Sequence, residues 1–300
     1  MKKIFLLLGF LFLTSCTSTT VKNDTINIVT TTNPNQNLVK YIAQDKVNIY
    51  PIKFDSDSHD FEVKPNDIKN IEEADVIFYN GLGLDDKVLD FSKKTDKFFK
   101  TTAGVDLIEL TNKDNEHKEH EEKHNEHHDG HDHQGKYDPH VWLSLKEYKI
   151  MGKNVLDKLI EIDPKNESFY KKNYDIFVNR ADTIYNNFIK DFNMLKHRDF
   201  ISNHGSYGYL SRDFNLINHS LHDVNNHGEV NPQNIQTIID IIKNKNIKLI
   251  LGDQFESNKE LETISNETGV NYKIVNNLES KGDYFTEYES LLSSIYDGLK

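Results

Sequence analysis

Residues 165–195 read KNESFYKKNYDIFVNRADTIYNNFIKDFNML. Tyr170, Tyr174, Phe177, Ala181, Ile184 and Phe188 fall at alternating steps of four and three. That spacing lays one apolar stripe along a helix. Some thirty helical residues would run about 45 Å, longer than one lobe needs. The expectation is a rigid spine, residues 165–196, joining two lobes at 25–164 and 197–300. A long surface helix of a single domain is the plainer alternative.

Outward from the spine, both flanks alternate strand with helix. On the N-terminal side, 26–31 (β-branched), 47–52 and 75–79 read as strands, with helices at 35–44, 65–73 and 145–159. On the C-terminal side, 200–202, 214–218, 247–251 and 270–275 read as strands. Helices are expected at 232–243, 259–268 (stopped by Gly269) and 284–299. This rhythm predicts an α/β fold: two α/β lobes with largely parallel sheets bridged by one long rigid helix. Gly81-Leu82-Gly83 follows a strand but lacks the third glycine and the helix start of a nucleotide loop.

The chain has 300 residues, 28% of them charged, and a net charge of −12. That excess argues against nucleic acid and suits a cation. Lys2-Lys3 precedes a ten-residue apolar run, Ile4–Leu13, too short to span a bilayer. Leu13-Thr14-Ser15-Cys16 resembles the bacterial lipobox. It implies a signal peptide at 1–15, lipidation of Cys16, and a polar tether at 16–24. Cys16 is the sole cysteine, so a metal site in the mature chain must use nitrogen and oxygen ligands.

Residues 111–136 contain no apolar side chain and seven of the fourteen histidines: His117, His120, His124, His127, His128, His131 and His133. Such a segment cannot bury itself. It reads as an auxiliary collector of metal, or as a solvated insertion without a role. A fixed site needs three or four converging imidazoles or carboxylates. The candidates outside the loop are His59, His140, His197, His204, His219, His222 and His227. His59, His140 and His204 stand where a strand or loop meets a helix start, the region where α/β sheets gather ligands. His219, His222 and His227 form a conceivable secondary cluster, with surface roles the plainer reading. Asp253 and Glu229 are candidate orienters of an imidazole N–H. Trp142 reads as a core anchor that positions His140.

Several segments carry a family resemblance. Ser58-His59-Asp60-Phe61-Glu62-Val63-Lys64-Pro65, Ala74–Leu84, Asp138-Pro139-His140-Val141-Trp142-Leu143-Ser144 and the stretch from His204 resemble the solute-binding lipoproteins of zinc- and manganese-type ABC transporters. The resemblance covers nearly all of 25–299. It implies two lobes bridged by one long helix, with His59, His140 and His204 as metal ligands. Where members with an acidic fourth ligand carry Asp, this chain has Asn276. The fourth position is therefore expected to be water, or Glu279 if the loop bends.

The function implied is capture of Zn2+ outside the cytoplasmic membrane and its delivery to an ABC permease and its ATPase. Mn2+ is disfavoured because imidazole suits zinc and carboxylates suit manganese. The protein is expected to be a lipid-anchored monomer of the cell envelope that binds no nucleic acid and is not an enzyme. A metal-binding surface adhesin and a three-histidine zinc hydrolase are the alternatives.

Overall fold

The structure, a computed structural model, describes residues 25–52, 62–110, 135–224 and 230–300. The leader, Cys16 and the tether, His59, the seven loop histidines, His227 and Glu229 lie outside the described residues.

Two four-stranded parallel sheets form the frame. The first comprises β1 (Ile26–Thr30), β2 (Val47–Pro51), β3 (Val76–Tyr79) and β4 (Phe98–Lys100), in the order β2-β1-β3-β4. The second comprises β5 (Asp199–Ser202), β6 (Ile217–Ser220), β7 (Ile250–Asp253) and β8 (Tyr272–Val275), in the order β6-β5-β7-β8. The two halves thus share one topology without a sequence repeat. The helices are α1 (Asn33–Ala43), α2 (Pro65–Glu73), α3 (Leu145–Ile162), α4 (Glu167–Asn193), α5 (Gly208–Phe214), α6 (Pro232–Lys245), α7 (Lys259–Thr268) and α8 (Tyr284–Leu299).

Strand alternation decides which layer each side chain joins. Ile28, Val76, Phe78, Phe200, Leu251 and Val275 point into one large inner core, together with Leu38, Trp142, Tyr148, Phe177, Tyr284 and Tyr288. Val29 and Ile77 face outward to a small cluster with Ile71 of α2. Ile201 and Ile250 face outward to Ile238, Ile242 and Leu261 of α6 and α7. The inner core is continuous across both halves, so helix α4 is not their sole connection. It runs 27 residues, about 40 Å, with Tyr170, Phe177, Ala181, Ile184 and Phe192 buried. Tyr174 and Phe188 of the expected stripe are partly buried. Phe177 meets Tyr41 of α1, Tyr148 of α3 and Phe285 of α8. Phe192 meets Phe214 of α5 and Tyr296 of α8. Gly152 permits the close α3–α4 crossing, since a Cβ there would lie 2.7 Å from the Phe177 ring.

Local departures from the sequence reading have simple causes. β4 is a three-residue edge strand, too short to show a period. α5 begins at Gly208, a poor helix former, and is held instead by the buried Tyr209, Leu210 and Phe214. It occupies the start of the expected strand 214–218, so β6 begins only at Ile217. β7 starts at Ile250 rather than Ile247, where pairing with β8 begins. α4 starts at Glu167, after a 3-10 turn at Pro164–Asn166.

Candidate metal-binding site

The site lies beyond the carboxyl ends of the central strands of both sheets, and its core is the segment 138–144. This segment is irregular and buried, so its backbone groups need partners. Tyr209 Oη donates to the Asp138 carbonyl at 2.8 Å, and Asn80 Nδ2 donates to that of Pro139 at 3.0 Å. The His140 and Val141 carbonyls accept from Leu143 N and Ser144 N in a 3-10 turn. Tyr284 Oη donates to the Trp142 carbonyl at 2.7 Å, and Tyr288 Oη to that of Leu143 at 2.8 Å. Every carbonyl from 138 to 143 is therefore satisfied, by donors from both halves of the chain. Ser144 then caps α3 by accepting from Glu147 N, and its hydroxyl donates to Asp213.

His140 is fully buried. Asp138 Oδ1 accepts from both the backbone N of His140 (2.9 Å) and its ring Nδ1 (2.8 Å). A proton on Nδ1 leaves Nε2 as a lone pair, the form that binds metal. Sequence reasoning missed this orienter, although the signal lay in the Asp-Pro-His tripeptide itself. His204 follows β5 and is also buried. Its Nε2 lies 3.3 Å from Nε2 of His140. Two imidazoles bound to one tetrahedral zinc at about 2.0–2.1 Å would set their nitrogens about 3.3–3.4 Å apart. The two rings, one from each half, therefore already have ligand-pair spacing.

Glu279 arrives from a loop that does bend. Leu278 is a buried leucine at φ 75°, a left-handed conformation rare outside glycine. Asn276 Oδ1 accepts from Leu278 N, and Asn277 Oδ1 from Glu279 N. The turn carries the buried Glu279 carboxylate to 3.9 Å from Nε2 of His140. Asn276 itself serves as a turn cap. Leucine gave no signal of such a turn, because its φ is imposed by packing. Burial pushes the phenol of Tyr207 well above its usual range, aided by the charges of Asp253, Glu279 and Glu256. The negative charges of these three carboxylates act on the residue three positions after His204, and negative charge there favours a cation. Among the described residues, no set of three or more His, Cys, Asp or Glu is arranged to hold a metal ion. The described part is the imidazole pair with Glu279 beside it.

The remaining candidates separate from this centre. His197 is exposed. His219 Nε2 lies 2.8 Å from Asp199 on the neighbouring strand, within hydrogen-bond distance. His222 is half-buried, and its backbone N donates to Asn203. Asp253 receives its bond from Phe255 N, and its own N donates to Asn203, the residue before His204. Trp142 is fully buried and edge-on to His140 at 5.3 Å, and its indole N–H donates to the Asn277 carbonyl at 3.1 Å. It ties the His140 segment to the Glu279 loop.

Gly81-Leu82-Gly83 is a left-handed turn throughout, and the N–H groups of its two glycines are taken. Gly81 N donates to Asp85 and Gly83 N to Asp86, so both glycines serve carboxylates of the same turn rather than a phosphate. Asp85 also accepts from Asn80 N and the Thr31 hydroxyl. Burial raises its carboxyl to about 6, against the lowering effect of those hydrogen bonds. A raised folded value means stability gained as pH falls from about 6 toward 4 and lost again as pH rises through 6. Urea unfolding at pH 5 and pH 7 should show this component, about 1 kcal/mol between the two, and Asp85→Asn should abolish it.

The ends of the histidine-rich segment are tied together. Glu109 bridges Tyr137, Leu110 N donates to Lys136 O, and Asp138 N to Ile108 O. The flanks of 111–134 are therefore bonded to each other, and the second flank runs directly into the His140 segment.

The chain matches the family described as zinc-uptake complex component A, periplasmic, over residues 28–300. It is 27% identical to a metal ABC transporter substrate-binding lipoprotein of Lactococcus lactis, over 98% of this chain and 95% of that one. It is 26% identical to the manganese ABC transporter substrate-binding lipoprotein PsaA of Streptococcus pneumoniae, over 89% and 85%. The crystal structure of a zinc-bound mutant variant of AdcAII from Streptococcus pneumoniae superposes with a TM-score of 0.79. It is 25% identical, with 92% of this chain and 99% of that chain covered.

Proposed function

The chain belongs to the zinc-uptake complex component A family of metal ABC transporter substrate-binding proteins, and from that premise we propose that its cargo is Zn2+, bound by His59, His140, His204 and Glu279. Proteins of this family are not enzymes. They work outside the cytoplasmic membrane, at the cell envelope, with a permease and an ATPase. The observation that carries the zinc reading is the 3.3 Å contact between the two buried Nε2 atoms. Imidazole-rich donor sets favour zinc over manganese, and the spacing fits a tetrahedral ion. Glu279 takes the fourth position in preference to water because the turn at Leu278 delivers its carboxylate to the imidazole pair.

His59 enters this set from the family resemblance and from its position eight residues after the end of β2 at Pro51. Cys16 is the anchor on the same grounds, and the protein acts as a monomer. The histidines of 111–136 act as a low-affinity collector whose tied ends deliver zinc beside the His140 segment.

Metal analysis of natively purified protein tests the cargo. One tight equivalent of zinc is expected, with further weak equivalents that disappear on deletion of residues 112–134. Retention of manganese in place of zinc would overturn the assignment. Binding requires neutral imidazoles, whose ordinary pKa is about 6.5, so affinity should fall as pH drops below 6.

A further inference from the structure

One face of α1 grips the loop that carries Glu279. Asn33, Asn37 and Tyr41 recur at steps of four, which places them in a row on the helix surface. Asn33 Nδ2 donates to the Leu278 carbonyl at 3.3 Å. Asn37 Nδ2 donates to the Gly282 carbonyl at 3.1 Å, and Asn37 Oδ1 accepts from Tyr284 N at 3.2 Å. Tyr41 Oη donates to Asp283 Oδ2 at 2.6 Å and accepts from Phe285 N at 3.3 Å. Five hydrogen bonds thus run from three side chains of the first half to backbone and carboxylate groups between 278 and 285. Arg180 of α4 adds a bond to the other oxygen of Asp283 at 3.1 Å.

The row holds the loop on either side of Glu279. Leu278 adopts a conformation that leucine disfavours, so the turn persists only while its surroundings hold it. Asn37 is almost fully buried and sits between the other two gripping residues. We infer that Asn33, Asn37 and Tyr41 are positioning residues for metal binding: a clip across the two halves that keeps the Leu278 turn closed and the Glu279 carboxylate in the site. The inference rests on the reading of Glu279 as a ligand.

Zinc affinity of the intact protein, measured by chelator competition, tests it as a double-mutant cycle. Asn37→Ala should weaken the tight site about tenfold, the effect of losing a supporting partner. In a Glu279→Gln background the same change should cost less than about twofold, because the carboxylate it positions is already gone. Tyr41→Phe, which removes one hydroxyl, repeats the test with little threat to folding. Equal losses in both backgrounds would mark a purely structural role and overturn the clip, as would unchanged affinity in both single variants. If Glu279→Gln alone leaves affinity unchanged, the assignment of Glu279 fails first and the clip falls with it.

Discussion

Replacing His140 with alanine should remove the tight zinc equivalent while leaving the weak equivalents of the histidine-rich segment in place. His140 is fully buried, its Nδ1 is engaged by Asp138, and its Nε2 faces His204 at 3.3 Å. A four-ligand zinc site contributes about 10–16 kcal/mol, so one ligand carries roughly 3 kcal/mol, about a hundredfold in affinity. The true loss should exceed that, because the cavity left by the ring cannot restore tetrahedral closure. Chelator competition at neutral pH measures it, with His219→Ala as the control expected to bind normally. Retention of one tight equivalent by His140→Ala would remove this centre from consideration.

Trp142→Ala should be the most damaging single change to the fold near the site. It empties the volume of a fully buried indole, a change that typically costs about 3–5 kcal/mol. It also leaves the Asn277 carbonyl without the indole N–H that now reaches it at 3.1 Å. Because that bond joins the His140 segment to the Glu279 loop, zinc affinity should fall together with stability. Trp142→Phe separates the two effects, keeping most of the packing and losing only the N–H, at about 1–3 kcal/mol. Urea denaturation of the metal-free protein gives the stabilities. A loss below about 1 kcal/mol in Trp142→Ala would mean that the indole anchors neither the core nor the His140 segment.

Both expectations concern a segment whose importance was visible in the sequence and whose mechanics were not. The change from a tract without apolar residues to Tyr137-Asp138-Pro139-His140-Val141-Trp142 marked a structured element. It did not show that Asn80, Tyr209, Tyr284 and Tyr288 would each supply a donor to that element's carbonyls. Those partners are 59 to 145 residues away, beyond any local pattern. Asp138 is the contrary case. It lies two residues from the imidazole it orients, and the Asp-Pro-His spacing could have identified it.

The sequence by itself determined the alternation of strand and helix, the long helix and its buried stripe, because each depends on periodicity within one element. It also marked His140 and His204 as lying at the ends of structured elements. Only the tertiary structure decided that the two α/β halves, besides being bridged by the long helix, share a continuous inner core. Only the fold brought two imidazoles 64 residues apart to ligand-pair distance. It also decided the place of Glu279, through a left-handed leucine that local propensity disfavours. That φ is maintained by the burial of Leu278 and by hydrogen bonds from distant side chains. Their combined energy outweighs the local backbone preference, so no reading of residues 276–279 alone could have placed the carboxylate.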